Sequence, residues 1–121
     1  MPRATGRPAS RERRKKVLRL ASGYRSGHHR LIKTAKQTVE HAGQYAYRDR
    51  KVRKREFRNL WIARINAAAR ACGITYSRFM DGLRKAGVDI NRKALAEIAA
   101  TDEVSFSQLV DVAKAKLEAV S

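Results

Sequence analysis

Cysteine is almost missing from this chain: Cys72 stands alone, which excludes an internal disulfide and a thiolate cluster for zinc and fits a reducing, cytosolic setting. Proline occurs only as Pro2 and Pro8, so beyond the first nine residues nothing forbids long helices. Large aromatics are scarce, with three Phe and one Trp, and much of the 43% hydrophobic content is alanine, which leaves material for a modest core. No apolar run approaches a membrane span or the core of a signal peptide. The Arg-rich, acid-poor N-terminus has the composition of a transit peptide, but it leads straight into a basic helix, so targeting is not the favoured reading. The most informative shortage is of acid. Residues 1–70 hold Glu12, Glu40, Asp49 and Glu56 against 21 Lys and Arg, whereas residues 71–121 carry seven bases and seven acids. The whole formal excess of +17 therefore lies in the first part.

Such a charge says little about fold and much about partners: it calls for a polyanion, of which nucleic acid is the commonest. The 121 residues have room for one domain, or for a small domain with an extension. The charge split favours the second. The expected fold class is all-α, a long basic N-terminal helical extension joined to a small C-terminal helical bundle. Residues 1–58 are read as an extended or helical basic arm for nucleic acid and residues 59–121 as the globular domain, with a helix over about 30–72 bridging them.

Along the chain, residues 1–9 hold both prolines with Arg3 and Arg7, and read as extended. Ser10 is placed to cap a short helix whose charges, Arg11, Arg13, Arg14, Lys15, Lys16 and Arg19, cover most of its circumference; Gly23 ends it. Only Val17, Leu18 and Leu20 can pack there. Residues 22–30 read as a loop with Tyr24, Arg25, His28, His29 and Arg30. From there to Gly73 only Gly43 interrupts a run of good helix formers, so one helix of about 40 residues, roughly 60 Å long, is expected. It carries Lys33, Lys36, Gln44, Tyr45, Tyr47 and then Arg48, Arg50, Lys51, Arg53, Lys54, Arg55, Arg58 and Asn59, the bases pointing in every direction. Without a breaker it turns into an apolar stripe of Phe57, Leu60, Trp61, Ile65, Ala68 and Cys72. Thr75, Asn91 and Asp102 are placed as N-caps of three further helices, with Gly73 and Gly87 as stops and Ile90 with Leu95 as a hydrophobic staple. No strand signal and no repeat is present. Four helices can close a core of about 60–65 residues, a size just sufficient for independent folding.

An enzyme needs a constellation, and none assembles. His28, His29 and His41 all lie in the arm, away from the acids of the module, on a segment without a core to hold catalytic geometry. Metal-ligand spacing and Gly-rich phosphate loops are both missing, so neither metal nor cofactor is expected. What remains is phosphate neutralisation, steep in salt and weak in sequence preference. Tyr24, Tyr45 and Tyr47, interleaved with bases, read either as platforms for exposed nucleotides or as ordinary surface tyrosines. Trp61, Phe57 and Phe79 read as core, and Cys72 as a small buried filler. Arg64, Asn66, Arg70, Ser77 and Arg78 lie near the helix turn of the module and read either as a second nucleic-acid face or as solvated helix surface. A nucleoid-associated or regulatory DNA-binding protein, and a ribonuclease using His28 or His29, are the competing readings.

The stretch AGQYAYRDRKVRKREFRNLWIARINAAAR (42–70) resembles the bacterial large-subunit ribosomal protein L-twenty family almost word for word. Lys54, Arg58, Leu60, Trp61, Ile62, Arg64, Ile65, Asn66 and Arg70 stand at the spacing of its diagnostic motif. YSRFMDGLRKAGVDINRKALAEIA (76–99) and RRKKVLRLASGY (13–24) match its other segments. The departures lie in residues 22–38: Ser22 replaces a usual base, and SGHHRLIKTAKQ replaces a segment usually richer in arginine and aromatics. The resemblance implies a basic helical extension on a small all-helical domain that binds 23S ribosomal RNA and acts early in subunit assembly. It further implies neighbouring large-subunit proteins as partners and, in some members, repression of their own messenger RNA through the globular domain. It implies no membrane, no small-molecule substrate, and a place in the large subunit, in the cytoplasm or the equivalent compartment of an organelle.

Overall fold

Good helix formers dominate from Pro8 onward, and every regular element among the described residues, 7–121 of a computed structural model, is an α-helix. These are α1 (Arg7–Leu20), α2 (Gly27–Arg30), α3 (Ile32–Ala71), α4 (Tyr76–Lys85), α5 (Arg92–Thr101) and α6 (Glu103–Val120). The all-α expectation holds, and the long helix runs without interruption through Gly43. The extended conformation expected for residues 1–9 falls outside the described residues up to position 6. From Arg7 it is replaced by helix, so Ser10 is a half-buried residue inside α1 rather than its cap. Pro8 permits this: in a first turn its missing N–H has no helical acceptor to lose, and its φ is already helical.

The chain divides into two compact units, Met1–Lys51 and Val52–Ser121. In the first, α1 ends on a turn in which Gly23 has φ 90° and the Tyr24 N–H donates to the Ala21 carbonyl at 3.2 Å. Among the described residues its fully buried ones are small, Ala21 and Ala35. The loop expected over 22–30 contains the single turn α2, entered through Ser26 at φ 58°, a left-handed backbone that a serine rarely adopts. A hydrogen bond from α2 to α3 holds it: His28 Nδ1 lies 3.0 Å from Thr38 Oγ1. The Thr38 hydroxyl donates its one proton to the Thr34 carbonyl at 2.8 Å, so it accepts from His28, and the Nδ1 atom carries the hydrogen.

In the second unit the end of α3 contributes Ile65 and Ala69 to a core completed by Ile74, Phe79, Leu83, Leu95, Ala96, Phe106, Val110 and Ala113. All four expected helices take part. The α3 stop is a Schellman motif: the Gly73 N–H donates to Arg70 and the Ile74 N–H to Ala69, both at 3.0 Å, with Gly73 at φ 80°. The Gly87 stop repeats it, Val88 reaching Leu83 at 3.0 Å. Asn91 and Asp102 cap as expected, their side chains accepting from the Ala94 and Ser105 N–H groups at 2.9 and 3.0 Å. Thr75 occupies the N-cap position of α4, but its side chain makes no capping bond. Leu95 is fully buried and Ile90 packs against the core, as the staple requires.

Phe79 and Phe106 form the centre, ring centroids 5.1 Å apart. Helices α4 and α6 approach closely at Gly82, where a Cβ would lie 2.6 Å from the Ala113 carbonyl oxygen and 2.7 Å from its Cβ. Trp61 and Cys72 are half-buried against this core, but Phe57 and Leu60, expected within it, are 48% and 43% exposed. The stripe on α3 keeps its period past the point where core partners end: its first fully buried residue is Ile65, two turns beyond Phe57.

Candidate nucleic-acid interface

The basic side chains of the arm have little to hold them except the helices they grow from. Arg11, Arg13, Arg14, Lys15, Lys16 and Arg19 on α1, Arg25 and Arg30 around α2, and Lys33 and Lys36 on α3 are all exposed. So are Gln44, Arg48, Arg50, Lys51, Arg53, Lys54, Arg55, Arg58 and Asn59. Arg3 lies outside the described residues. Among the described residues, Arg48 alone of the arm's bases is ion-paired, through Nε to Asp49 Oδ1 at 2.9 Å. That hydrogen bond, and then the Asp49 charge, push the Arg48 guanidinium further above its ordinary value. The other bases of the arm among the described residues are in no ion pair.

On the helical period the bases from 48 to 58 cover most of α3 but not all of it. Asp49, Val52 and Glu56 fall at i, i+3 and i+7 and form one stripe without a base. The expectation of bases in every direction is thus corrected: this segment has a back, and its bases occupy the remainder of its circumference.

The tyrosines are tied into the basic surface. Tyr45 and Tyr47 are exposed; the Arg48 guanidinium lies 4.7 Å from the Tyr45 ring centre and the Lys51 ammonium 4.4 Å from that of Tyr47. His41 Nε2 lies 2.7 Å from the Tyr45 hydroxyl, with the two rings edge to face, and Lys51 donates to the Tyr47 hydroxyl at 2.7 Å. These i,i+3 and i,i+4 contacts fix ring orientations while leaving ring surface in solvent. Tyr24 is half-buried. His28 and His29 are both exposed, and His28 is committed through Nδ1 to Thr38.

Near the α3–α4 turn, Arg64, Arg70, Ser77 and Arg78 are exposed and Asn66 is half-buried. Arg70 Nε donates to Asn66 Oδ1 at 3.2 Å, which orients that guanidinium along the helix.

Sequence reasoning did not single out the groove between α1 and α3. Ser10, Arg13, Arg14, Lys16 and Val17 from α1 and Ile32 and Lys36 from α3 line an open groove of about 470 Å³. The signal was present in part: positions 10, 13, 14 and 17 share a helix face, and 32 and 36 another. The pairing of the two faces was not.

A chain with this arm and module has close relatives. The family model described as Ribosomal protein L20 matches residues 3–109. The chain belongs to the ribosomal protein L20 family. A protein named large ribosomal subunit protein bL20 from Macrococcus caseolyticus is 59% identical over 118 residues, covering 98% of this chain and all of the relative. A protein of the same name from Staphylococcus aureus is 58% identical over the same share. The resemblance of residues 13–24, 42–70 and 76–99 to this family is borne out, and a structural rather than enzymatic role follows from membership.

Proposed function

We propose that this protein is built into the large ribosomal subunit, where it binds 23S ribosomal RNA directly and promotes folding and assembly of the particle. As a member of the L20 family it is a structural ribosomal protein rather than an enzyme. The carrying observation is the near absence of ion pairing on a surface with bases from Arg11 to Arg58. Side by side in water these cations repel one another, and the helices bearing them gain stability from polyanion on several sides. The arm, residues 1–58, neutralises phosphates of neighbouring RNA segments and so lowers the electrostatic cost of packing RNA against RNA. The domain over residues 59–121 docks by shape, with Arg64, Asn66, Arg70, Ser77 and Arg78 as its RNA face and neighbouring large-subunit proteins around it. Its own messenger RNA is a second ligand of that domain, through which it represses its translation. The protein acts in the cytoplasm, or in the equivalent compartment of an organelle.

Filter binding of the full chain to 23S RNA across a salt series tests this. The expected log–log slope corresponds to roughly 6–10 neutralised phosphates, with a clear preference for the ribosomal RNA over duplex DNA of equal length. Equal affinity for the DNA would favour a nucleoid or regulatory DNA-binding role instead.

A further inference from the structure

We infer that the groove between α1 and α3 is a receptor for a single unpaired RNA nucleotide, its base held inside and its phosphates at the rim. This rests on the RNA-binding reading above and adds a specific ligand to it. Two features of the groove select that ligand.

The first is a gradient of polarity. Val17, Ile32 and the small Ser10 are half-buried, whereas Arg13, Arg14, Lys16 and Lys36 are exposed, so the aliphatic surface is the more withdrawn and the cationic surface the more accessible. A surface that only neutralises phosphates needs no aliphatic wall; on α3 from 48 to 58 the half-buried aliphatic residue, Val52, sits instead between Asp49 and Glu56. The second is charge. No acid lines the groove, and among the described residues none of its four bases is in an ion pair. Such a rim repels a basic protein segment and attracts a phosphodiester.

Size and stereochemistry fix the rest. About 470 Å³ lies within the range of sites that take small ligands, and a mononucleotide unit suits it. In an A-form duplex the base faces are stacked away and only phosphate, ribose and base edges reach a protein surface; a base face meets an apolar wall only when it is unstacked, in a bulge or a loop. The planar guanidiniums of Arg13 and Arg14 can cover the outer face of such a base, while Lys16 and Lys36 take the flanking phosphates.

The test uses the full chain and two RNA duplexes that differ by one unpaired 2-aminopurine nucleotide, compared at matched salt. The expected preference for the bulged duplex is about tenfold, the scale of withdrawing roughly 60 Å² of apolar surface from water, with a change in 2-aminopurine emission on binding. Val17→Thr and Ile32→Asn should bring the ratio close to one and leave the salt slope alone. Lys36→Ala should lower the slope by about one and leave the ratio alone. Equal affinity for both duplexes with unchanged emission overturns the inference, and needs no variant to be interpretable; so does a preference that survives both aliphatic substitutions. Steep salt-dependent binding in those cases keeps the broader reading intact, whereas no binding to either duplex removes both.

Discussion

At the scale of single residues, the second unit depends on a position that charge and periodicity do not reveal. Gly82 lies against the Ala113 carbonyl and methyl, at distances no Cβ tolerates, and both partners are helix backbone or its first carbon, so neither can rotate away. Gly82→Ala should therefore destabilise the protein by about 1–3 kcal/mol despite the better helix propensity of alanine. Urea unfolding of the full chain measures this, and an unchanged midpoint would refute it. Asp102 was legible as a cap from its place before an apolar run, and its carboxyl is held below its usual range, first by the Ser105 hydroxyl and then by the Ser105 N–H. A depressed folded value makes its stabilising contribution complete above the unfolded-chain value and lost as pH falls through the folded one. In acid titrations followed by circular dichroism, Asp102→Asn should lack the part of the transition that this group supplies below about pH 4. His28 was read as an RNA contact or a solvated side chain; that Thr38 engages it could not be read, because the two meet only once α2 folds onto α3.

At the scale of elements, the helices of the module were visible because their signals are local. Caps at Asn91 and Asp102, stops at Gly73 and Gly87, and the apolar period between them each involve residues a few positions apart. The arm was harder. Its helices bury little, Ala21 and Ala35 being the fully buried residues described there, so the start of α1 and the turn α2 follow from backbone geometry rather than from a hydrophobic pattern. The same thin packing predicts behaviour. Peptide 1–58 should show low helicity at low salt and gain it with RNA, by circular dichroism, since isolated helices under like-charge repulsion lack tertiary support. High helicity without RNA would sink this claim. Gly43→Ala should raise the helicity of α3, because nothing lies within 4 Å of the added methyl and alanine is favoured by about 1 kcal/mol in a helix interior. If that variant also weakens RNA binding, Gly43 is a point of close RNA approach.

At the scale of the whole molecule, charge divides the labour: an arm in which bases far outnumber acids, and a module over residues 59–121 that holds nine bases against seven acids. Replacing Arg53, Lys54 and Arg55 together by alanine should reduce the salt slope of RNA binding by about three while leaving the thermal unfolding of the module close to unchanged. A fall in module stability with no change of slope would place these residues in the fold rather than the interface.

The sequence alone determined the helical class, the near-neutral module, the direction of the charge and the family, because each is carried by residues near one another in the chain or by composition. Tertiary structure decided what depends on meeting at a distance: that Phe57 and Leu60 lie beyond the core they were assigned to, that Gly82 admits α6, that Thr38 fixes the tautomer of His28, and that faces of α1 and α3 line an open groove. Periodicity gives each helix a face; only packing says what that face meets, and where its partners end.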